Sequence, residues 1–447
     1  MARIEEPKLK RELGLWDLVF YGIILIQPIA AVGLFGIASK ESNGHMVTTL
    51  LIGMVAMMFT AVSYGRMASR YPSAGSAYTY VGIGLNRYLG FLAGWSMFLD
   101  YLIIPIINTI YGALTLQRLM PGIPFPVWVV LFVSFITFLN LLGIKSTKLS
   151  NKILLLVMMV VIMIFIIQAI DFLIATYGFQ GLFSSKPIYN PETFNVGAVM
   201  TATSFAVLTY IGFDGVTTLA EDVKNPTVNM LLAPVLVCLF TGLFSGLQIY
   251  LAQQVWPEFN LFPNLETAFF DVAERVGGTF MFNAIAVVLF IACLGSGMAG
   301  LMGAARLLFG MGRDGVLPRK VFYHLSATRS TPVYNILIMG ALTIIGSLVL
   351  GYQNAAELLN FGAFLAFMGV NLAAFRRFAL RAEKGESRNV ILNTVFPLLG
   401  FIVCLVIWIS LPLTATIMGG IWLTIGIIYL AIRTKGFKNS PMHLEIP

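Results

Sequence analysis

The chain has 447 residues, of which 58% are hydrophobic and only 11% are charged, and its mean hydropathy is +0.87. Soluble domains carry about 25% charged residues, so there is too little charge here to cover a water-facing surface. A soluble enzyme, a disordered tail and a nucleic-acid binder are excluded despite the net charge of +8; the composition is that of a polytopic membrane protein.

Apolar runs of roughly 18–25 residues read as membrane-spanning helices. In chain order they lie near 16–38, 47–68, 84–115, 127–144, 152–176, 197–220, 230–253, 279–310, 333–351, 354–375, 394–411 and 414–433. The pattern predicts an all-α membrane protein with twelve spans, the ninth and tenth and the eleventh and twelfth running almost into one another. Lys8, Lys10 and Arg11 before the first run resemble the start of a signal peptide. No small-residue cleavage site follows, so the run is kept as a span.

An even number of spans puts both tails, 1–15 and 434–447, on one side. Of the 28 Lys and Arg residues, 24 fall on segments of that side, leaving Lys40, Arg118, Lys186 and Arg275 for the other. Basic loops stay cytoplasmic, which predicts cytoplasmic termini and an inner (plasma) membrane location. The excess charge is then an orientation signal, with a weaker role against anionic lipid. Cys238, Cys293 and Cys404 each sit in an apolar run without a CxxC spacing, which argues against a disulfide framework or a zinc site. His45, His324 and His443 fall in loops or the tail, so no histidine relay is expected within the bilayer.

Two spans carry signals of interruption. In the first, Gln27-Pro28 places an amide and a proline at bilayer depth, and proline removes a helix hydrogen bond. In the sixth, Gly212-Phe213-Asp214-Gly215 sets a carboxylate between two glycines, and an ionisable residue in mid-span is usually functional. The second break falls five spans after the first, as two inverted five-span repeats require, here 16–176 and 197–375 with 394–433 appended. Binding sites in such folds form where broken helices expose backbone to a polar cavity. The third span adds Asp100, Asn108, Tyr111 and Thr115 on one helix face. Gly90 and Gly94 in the same span make a small-residue pair suited to close packing.

Gly295-Ser296-Gly297-Met298-Ala299-Gly300 matches GxGxxG but lies inside an apolar helix with no preceding strand, so it is read as small-residue packing with a hydroxyl, not as a nucleotide site. No GxxxxGK, HExxH or GxSxG occurs, which leaves ATP-driven pumping and intramembrane hydrolysis without support; no enzyme activity and no cofactor are expected.

Three segments in order then resemble the amino acid–polyamine–organocation permeases over nearly the whole chain. Tyr71-Pro72-Ser73-Ala74-Gly75-Ser76-Ala77-Tyr78-Thr79-Tyr80 looks like that family's P-x-x-G-x-x-Y-x-Y signature. The run from Ile211 to Pro226 resembles its sixth-span segment, and Arg306 with Met311-Gly312-Arg313-Asp314-Gly315-Val316-Leu317-Pro318 resembles the third motif. The resemblance implies a LeuT-like 5+5 inverted repeat plus two helices, working by alternating access. Within the family, Gly94 to Leu102 with Ile107-Asn108, Asn360-Phe361-Gly362-Ala363, and Gln27-Pro28 look most like bacterial putrescine importers.

The site so implied comprises Ile26, Gln27 and Pro28 at the first break, and Asp100, Tyr101 and Asn108 on the third span. Thr203, Tyr210, Gly212, Phe213, Asp214 and Gly215 come from the sixth span and Phe361 from the tenth. Two acids suit two ammonium ends, and Tyr210, Phe213 and Phe361 would add cation–π contacts. Asp100 and Asp214 are also candidates for carrying a coupling proton, and Ser296 for holding Na+. Some relatives have a lysine in mid-helix five, but here that stretch reads Leu154-Leu155-Leu156-Val157-Met158. The expected activity is import of a small cationic amine, a polyamine such as putrescine favoured. Its alternatives are a permease for cationic or neutral amino acids and, more remotely, a membrane receptor or subunit. Trp95, Trp128, Trp256, Trp408 and Trp422 are expected as interfacial anchors, and Glu221, Asp222 and Lys224 with Arg66 and Arg70 as a salt-bridged inner gate or simply as solvated charges.

Overall fold

A computed structural model describes residues 13–72, 76–143, 148–313, 318–326, 331–382 and 389–438. The first apolar run is broken: α1 (Leu15–Ile26) and α2 (Ala30–Glu41) meet at 53°. α3 (Met46–Arg70) returns across the bundle to α4 (Ser76–Gly84), a short helix where the sequence suggested only a loop. α5 (Arg87–Leu119), α6 (Phe125–Leu141) and α7 (Lys148–Tyr177) complete the first half.

The sixth run begins as α8 (Val196–Ala206), tightens into 3₁₀ turns over Val207–Tyr210, and resumes as 3₁₀ turns over Phe213–Asp222. α9 (Pro226–Val255), α10 (Ala268–Arg313), the single turn α11 (Arg319–Phe322), α12 (Val333–Val349) and α13 (Tyr352–Phe375) follow, then α14 (Phe396–Ile409) and α15 (Leu413–Arg433). Gly278 interrupts α10 at φ 59°, which divides a short segment, buried at Ala268, Phe269, Phe270, Val272 and Ala273, from the eighth span at the boundary the apolar run indicates.

Among the described residues nine helices are long and apolar enough to cross a bilayer, and the bent α1–α2 pair makes ten. The two other predicted spans, 127–144 and 333–351, correspond to the shorter apolar helices α6 and α12, each of 17 residues.

Lipid tails are as apolar as leucine, so helix association rests on close packing and interhelical hydrogen bonds. The central contacts are α3 with α9, and α5 with both α10 and α13. Gly90 of the α5 pair abuts the backbone of Gly82 in α4, a contact that a Cβ would block. In α13, 78% of the apolar window is buried, against 22% in α15, so the last helix is peripheral. It is nevertheless locked to the core. Trp95 and Trp422 stack with ring centroids 4.8 Å apart, and each indole N–H donates to the other's backbone carbonyl, at 2.9 and 3.1 Å. This pair clasps α5 to α15. Trp408 likewise packs on Phe361, and Trp128 is buried.

Both described ends lie on the same face of the bundle. Leu13 pairs with Val223 in a parallel bridge, with the Lys224 N–H donating to the Leu13 carbonyl at 2.9 Å. Tyr88, at the start of α5, donates its hydroxyl to the carbonyl of Phe437 at 2.7 Å.

Candidate functional site

Pro28 cannot donate its backbone nitrogen, so α1 ends at Ile26 and the chain needs other partners. Gln27 takes φ 64°, unusual for a residue with a Cβ and worth about 1–2 kcal/mol of strain. Its Nε2 donates to the Ala292 carbonyl of α10 at 3.2 Å. From the other side, Gln248 of α9 donates to the Pro28 carbonyl at 3.2 Å. The break is thus held from two neighbouring helices.

The second break is made by Gly212 at φ 120°, a conformation that L side chains rarely adopt. A Cβ there would meet Ile26 at 3.3 Å and Leu25 at 3.5 Å, so the two breaks lie against each other. Gly215 donates to the Gly212 carbonyl at 3.1 Å, and the Thr217 hydroxyl to the Asp214 carbonyl at 2.7 Å. The turn therefore satisfies much of its own backbone.

Between the breaks, α5, α10 and the start of α13 enclose a cavity of about 360 Å³. Asp100 and Asp214 both line it, and among the described residues no Lys, Arg or His does. The two carboxylates differ in surroundings. Backbone N–H groups of Asp214 itself, Gly212 and Gly215 face the Asp214 carboxylate. Both oxygens of Asp100 are buried with no hydrogen-bond partner among the described residues, and Oδ1 sits where a Cβ on Gly362 would be 3.0 Å away. Asn108 donates from Nδ2 to the Ile104 carbonyl at 2.8 Å and to Ser296 Oγ at 3.1 Å, which uses both its N–H groups and leaves its carbonyl as an acceptor. Charge and acceptors thus dominate the polar wall.

Leu25 and Tyr101, toward the face carrying both chain ends, are each 41% exposed, whereas Tyr111 and Tyr352 at the far end are 4% and 6% exposed. Beyond Gly33 on α2, Phe35 is fully buried, its ring meeting Phe262 at 5.4 Å and Phe269 at 5.5 Å. An Arg118–Asp271 ion pair joins the end of α5 to the first turn of α10. Burial raises the carboxyl of Glu266, in the loop before α10, above the ordinary range, and the backbone N–H of Tyr352 opposes that shift. A second cavity of about 350 Å³ lies among loops on the far face, and among the described residues no carboxylate lines it.

Of the residues expected from sequence, Ile26, Gln27, Asp100, Tyr101, Asn108, Gly212, Asp214, Gly215 and Ser296 come together on this wall. Five do not. Pro28 faces Gln248, and Thr203 donates to the Val199 carbonyl at 2.7 Å. Tyr210 is fully buried and donates to the Leu50 carbonyl at 2.7 Å. Phe213 packs with Tyr64 and Phe367, at 5.6 and 5.3 Å, and Phe361 packs on Trp408. The change from α to 3₁₀ winding beyond Ala206 turns the sixth-span rings away from where a continuous helix would put them. Thr115 donates to the Tyr111 carbonyl at 2.8 Å and lies outside the wall.

Residues that sequence reasoning passed over include Tyr352, Gln248 and Glu357. Glu357 is another buried acid within a span, 2% exposed, and receives the Gln353 amide at 2.8 Å. A polar residue inside an apolar run was the available signal for Gln248 and Glu357. Arg66 lies 4.4 Å over the Phe378 ring and Arg70 5.8 Å from that of Tyr71, while the side chains of Glu221 and Asp222 fall outside the described residues. So do residues 73–75 of the first motif and 314–317 of the third.

Two interrupted spans lining a charged cavity within an all-helical bundle define a secondary-transporter architecture. A solved structure, that of a histidine-to-alanine mutant of the Eremococcus coleocola manganese transporter, superposes with a TM-score of 0.54 at 13% identity, covering 96% of this chain and 97% of that one. The fold is LeuT-like. The amino acid permease family pattern matches residues 13–433. The low-affinity putrescine importer PlaP of Escherichia coli K12 is 32% identical over 99% of this chain and 97% of its own length. The branched-chain amino acid permease BcaP of Bacillus subtilis 168 is 25% identical over 98% and 96%. The chain belongs to the amino acid permease family. It is a multi-pass membrane transporter and not an enzyme.

Proposed function

We propose that the chain imports a small cationic amine, a diamine such as putrescine before other polyamines, by alternating access. The observation that carries this reading is the charge of the cavity wall: two carboxylates and, among the described residues, no base. A substrate carboxylate would meet only neutral donors there, and the proline at the first break removes one of them. Both N–H groups of Asn108 are spent on protein acceptors. Asp100, buried and without a donor among the described residues, is suited to receive an ammonium or a proton. The name of the Escherichia coli relative supports the same class of cargo.

In this reading the repeats are 16–176 and 197–375, moving about the paired breaks. The termini are cytoplasmic in a plasma membrane, and the cavity opens to that side. Coupling runs through H+ at Asp100 or Asp214, or through Na+ with Ser296 as one ligand. Amino-acid permeases among the relatives keep an amino acid as the second reading. Radiolabelled putrescine uptake into proteoliposomes tests the first. Full-rate uptake by both Asp100→Asn and Asp214→Asn would remove the charge-pairing model, and stabilisation of the purified protein by amino acids but not diamines would favour the second reading.

A further inference from the structure

The cavity is polar at both ends but charged at only one. Asp214 adjoins the two breaks, and Asp100 lies on α5 eleven residues before Tyr111. That interval is roughly 16 Å of helix rise. Tyrosine side chains on a helix lean back toward its start, so the ring of Tyr111 shortens this gap. At the far end Tyr111 and Tyr352 face each other, ring centroids 5.0 Å apart and tilted by 38°. The Tyr111 hydroxyl is buried without a hydrogen-bond partner among the described residues. Phe205 meets Tyr352 edge-on at 6.4 Å, and the Glu266 carboxylate takes the Tyr352 backbone N–H, so this ring is held from two sides. Gly33 of α2 lets both rings close. A Cβ there would lie 2.9 Å from the Tyr352 hydroxyl and 3.2 Å from Cζ of Tyr111.

The geometry points to the Tyr111–Tyr352 pair as the subsite for the second ammonium of a diamine, with one amine paired to Asp100 and Asp214 and the other against the tyrosine faces and the free Tyr111 hydroxyl. It rests on the amine-import reading and adds a specificity element to it. Among the described residues no acid lines the far half, so a second cation there meets π faces and neutral oxygens directly, with the Glu266 carboxylate behind Tyr352. The pair reads a diamine against a monoamine of the same length, because only the diamine brings a charge to the rings. It is also the far-side lid of the cavity, so recognition of the second amine and closure involve the same side chains.

The test is competition of putrescine and 1-butylamine against radiolabelled putrescine on the full chain in nanodiscs. Wild type is compared with Tyr111→Phe, Tyr111→Leu, Tyr352→Phe, Tyr352→Leu and Gly33→Ala. The Phe variants keep the π face and are expected to hold the putrescine-to-butylamine preference within about threefold. The Leu variants are expected to lower that preference about tenfold while butylamine binding changes little. Gly33→Ala, which wedges the rings apart, is expected to lower it in the same direction, and it carries the test if a Leu variant fails to fold. Wild-type putrescine binding with an unchanged preference in the Leu and Ala variants would overturn the subsite and leave amine import standing. Absence of putrescine binding to wild type would overturn both.

Discussion

The first and sixth spans are both interrupted, and the means differ. The first breaks at a proline and is held by others: Gln27 reaches α10, and Gln248 of α9 reaches back to Pro28. The sixth breaks at a glycine and is held largely by its own turns, with Gly215 and Thr217 bonding to Gly212 and Asp214. One break is a junction between helices, where movement of α9 or α10 pulls directly on the backbone. The other is a local turn that presents a carboxylate. The link between helices thus belongs to the first break and, in the amine-import reading, the second adds its carboxylate to that of Asp100.

The largest expected effect separates them by charge. Asp214→Asn should lower putrescine binding about thirtyfold or more, since a buried charge-assisted contact is worth at least about 2 kcal/mol. Gln27→Ala removes no charge and should lower it less than about tenfold. Equilibrium binding to purified protein measures both, and equal losses would erase the division between the breaks.

Next in size is the backbone of the sixth-span break. Gly212→Ala must hold φ 120° and bring a Cβ to 3.3 Å from Ile26. A destabilisation of about 1–3 kcal/mol is expected, read as a lower unfolding temperature in detergent. Pro28→Ala carries no comparable strain and should shift that temperature much less. A larger loss from Pro28→Ala would mean that the proline, and not its neighbours, holds the first break.

The amide from α9 comes third. Gln248→Leu leaves the Pro28 carbonyl buried without its donor, with an expected cost of about 1–2 kcal/mol. Because Gln248 does not line the cavity, its loss should move stability and transport rate more than equilibrium affinity for the amine. An affinity loss matching that of Asp214→Asn would place Gln248 in the site itself.

How much of this was legible in the sequence follows from what sets each feature. Span positions come from composition, and the apolar runs locate nearly every helix to within a few residues. The breaks were legible because proline and paired glycines in mid-span have strong backbone preferences, and the acids because charge in hydrocarbon is costly. Ring placement was not. Tyr210 and Phe213 sit near the sixth-span break in sequence, and Phe361 sits beside the small residues of α13. Yet the 3₁₀ winding and packing against α3 and α14 take all three away from the cavity. Tyr352 is the first residue of α13, beside a helix boundary that an almost continuous apolar stretch hides. Gln248 acts through a partner 220 positions away, a pairing that no local pattern encodes.

The smallest expected effect probes the strain at Gln27. Gln27→Gly relieves the cost of φ 64°, about 1–2 kcal/mol, and gives up the hydrogen bond to Ala292, worth a comparable amount. The two nearly cancel, so the unfolding temperature should change little while the link from the break to α10 is lost. Under the junction assignment, uptake rate should then fall although stability holds. Unchanged uptake would show that Gln248 alone ties the first break to the rest of the bundle, and the contrast between the breaks would narrow to a single amide.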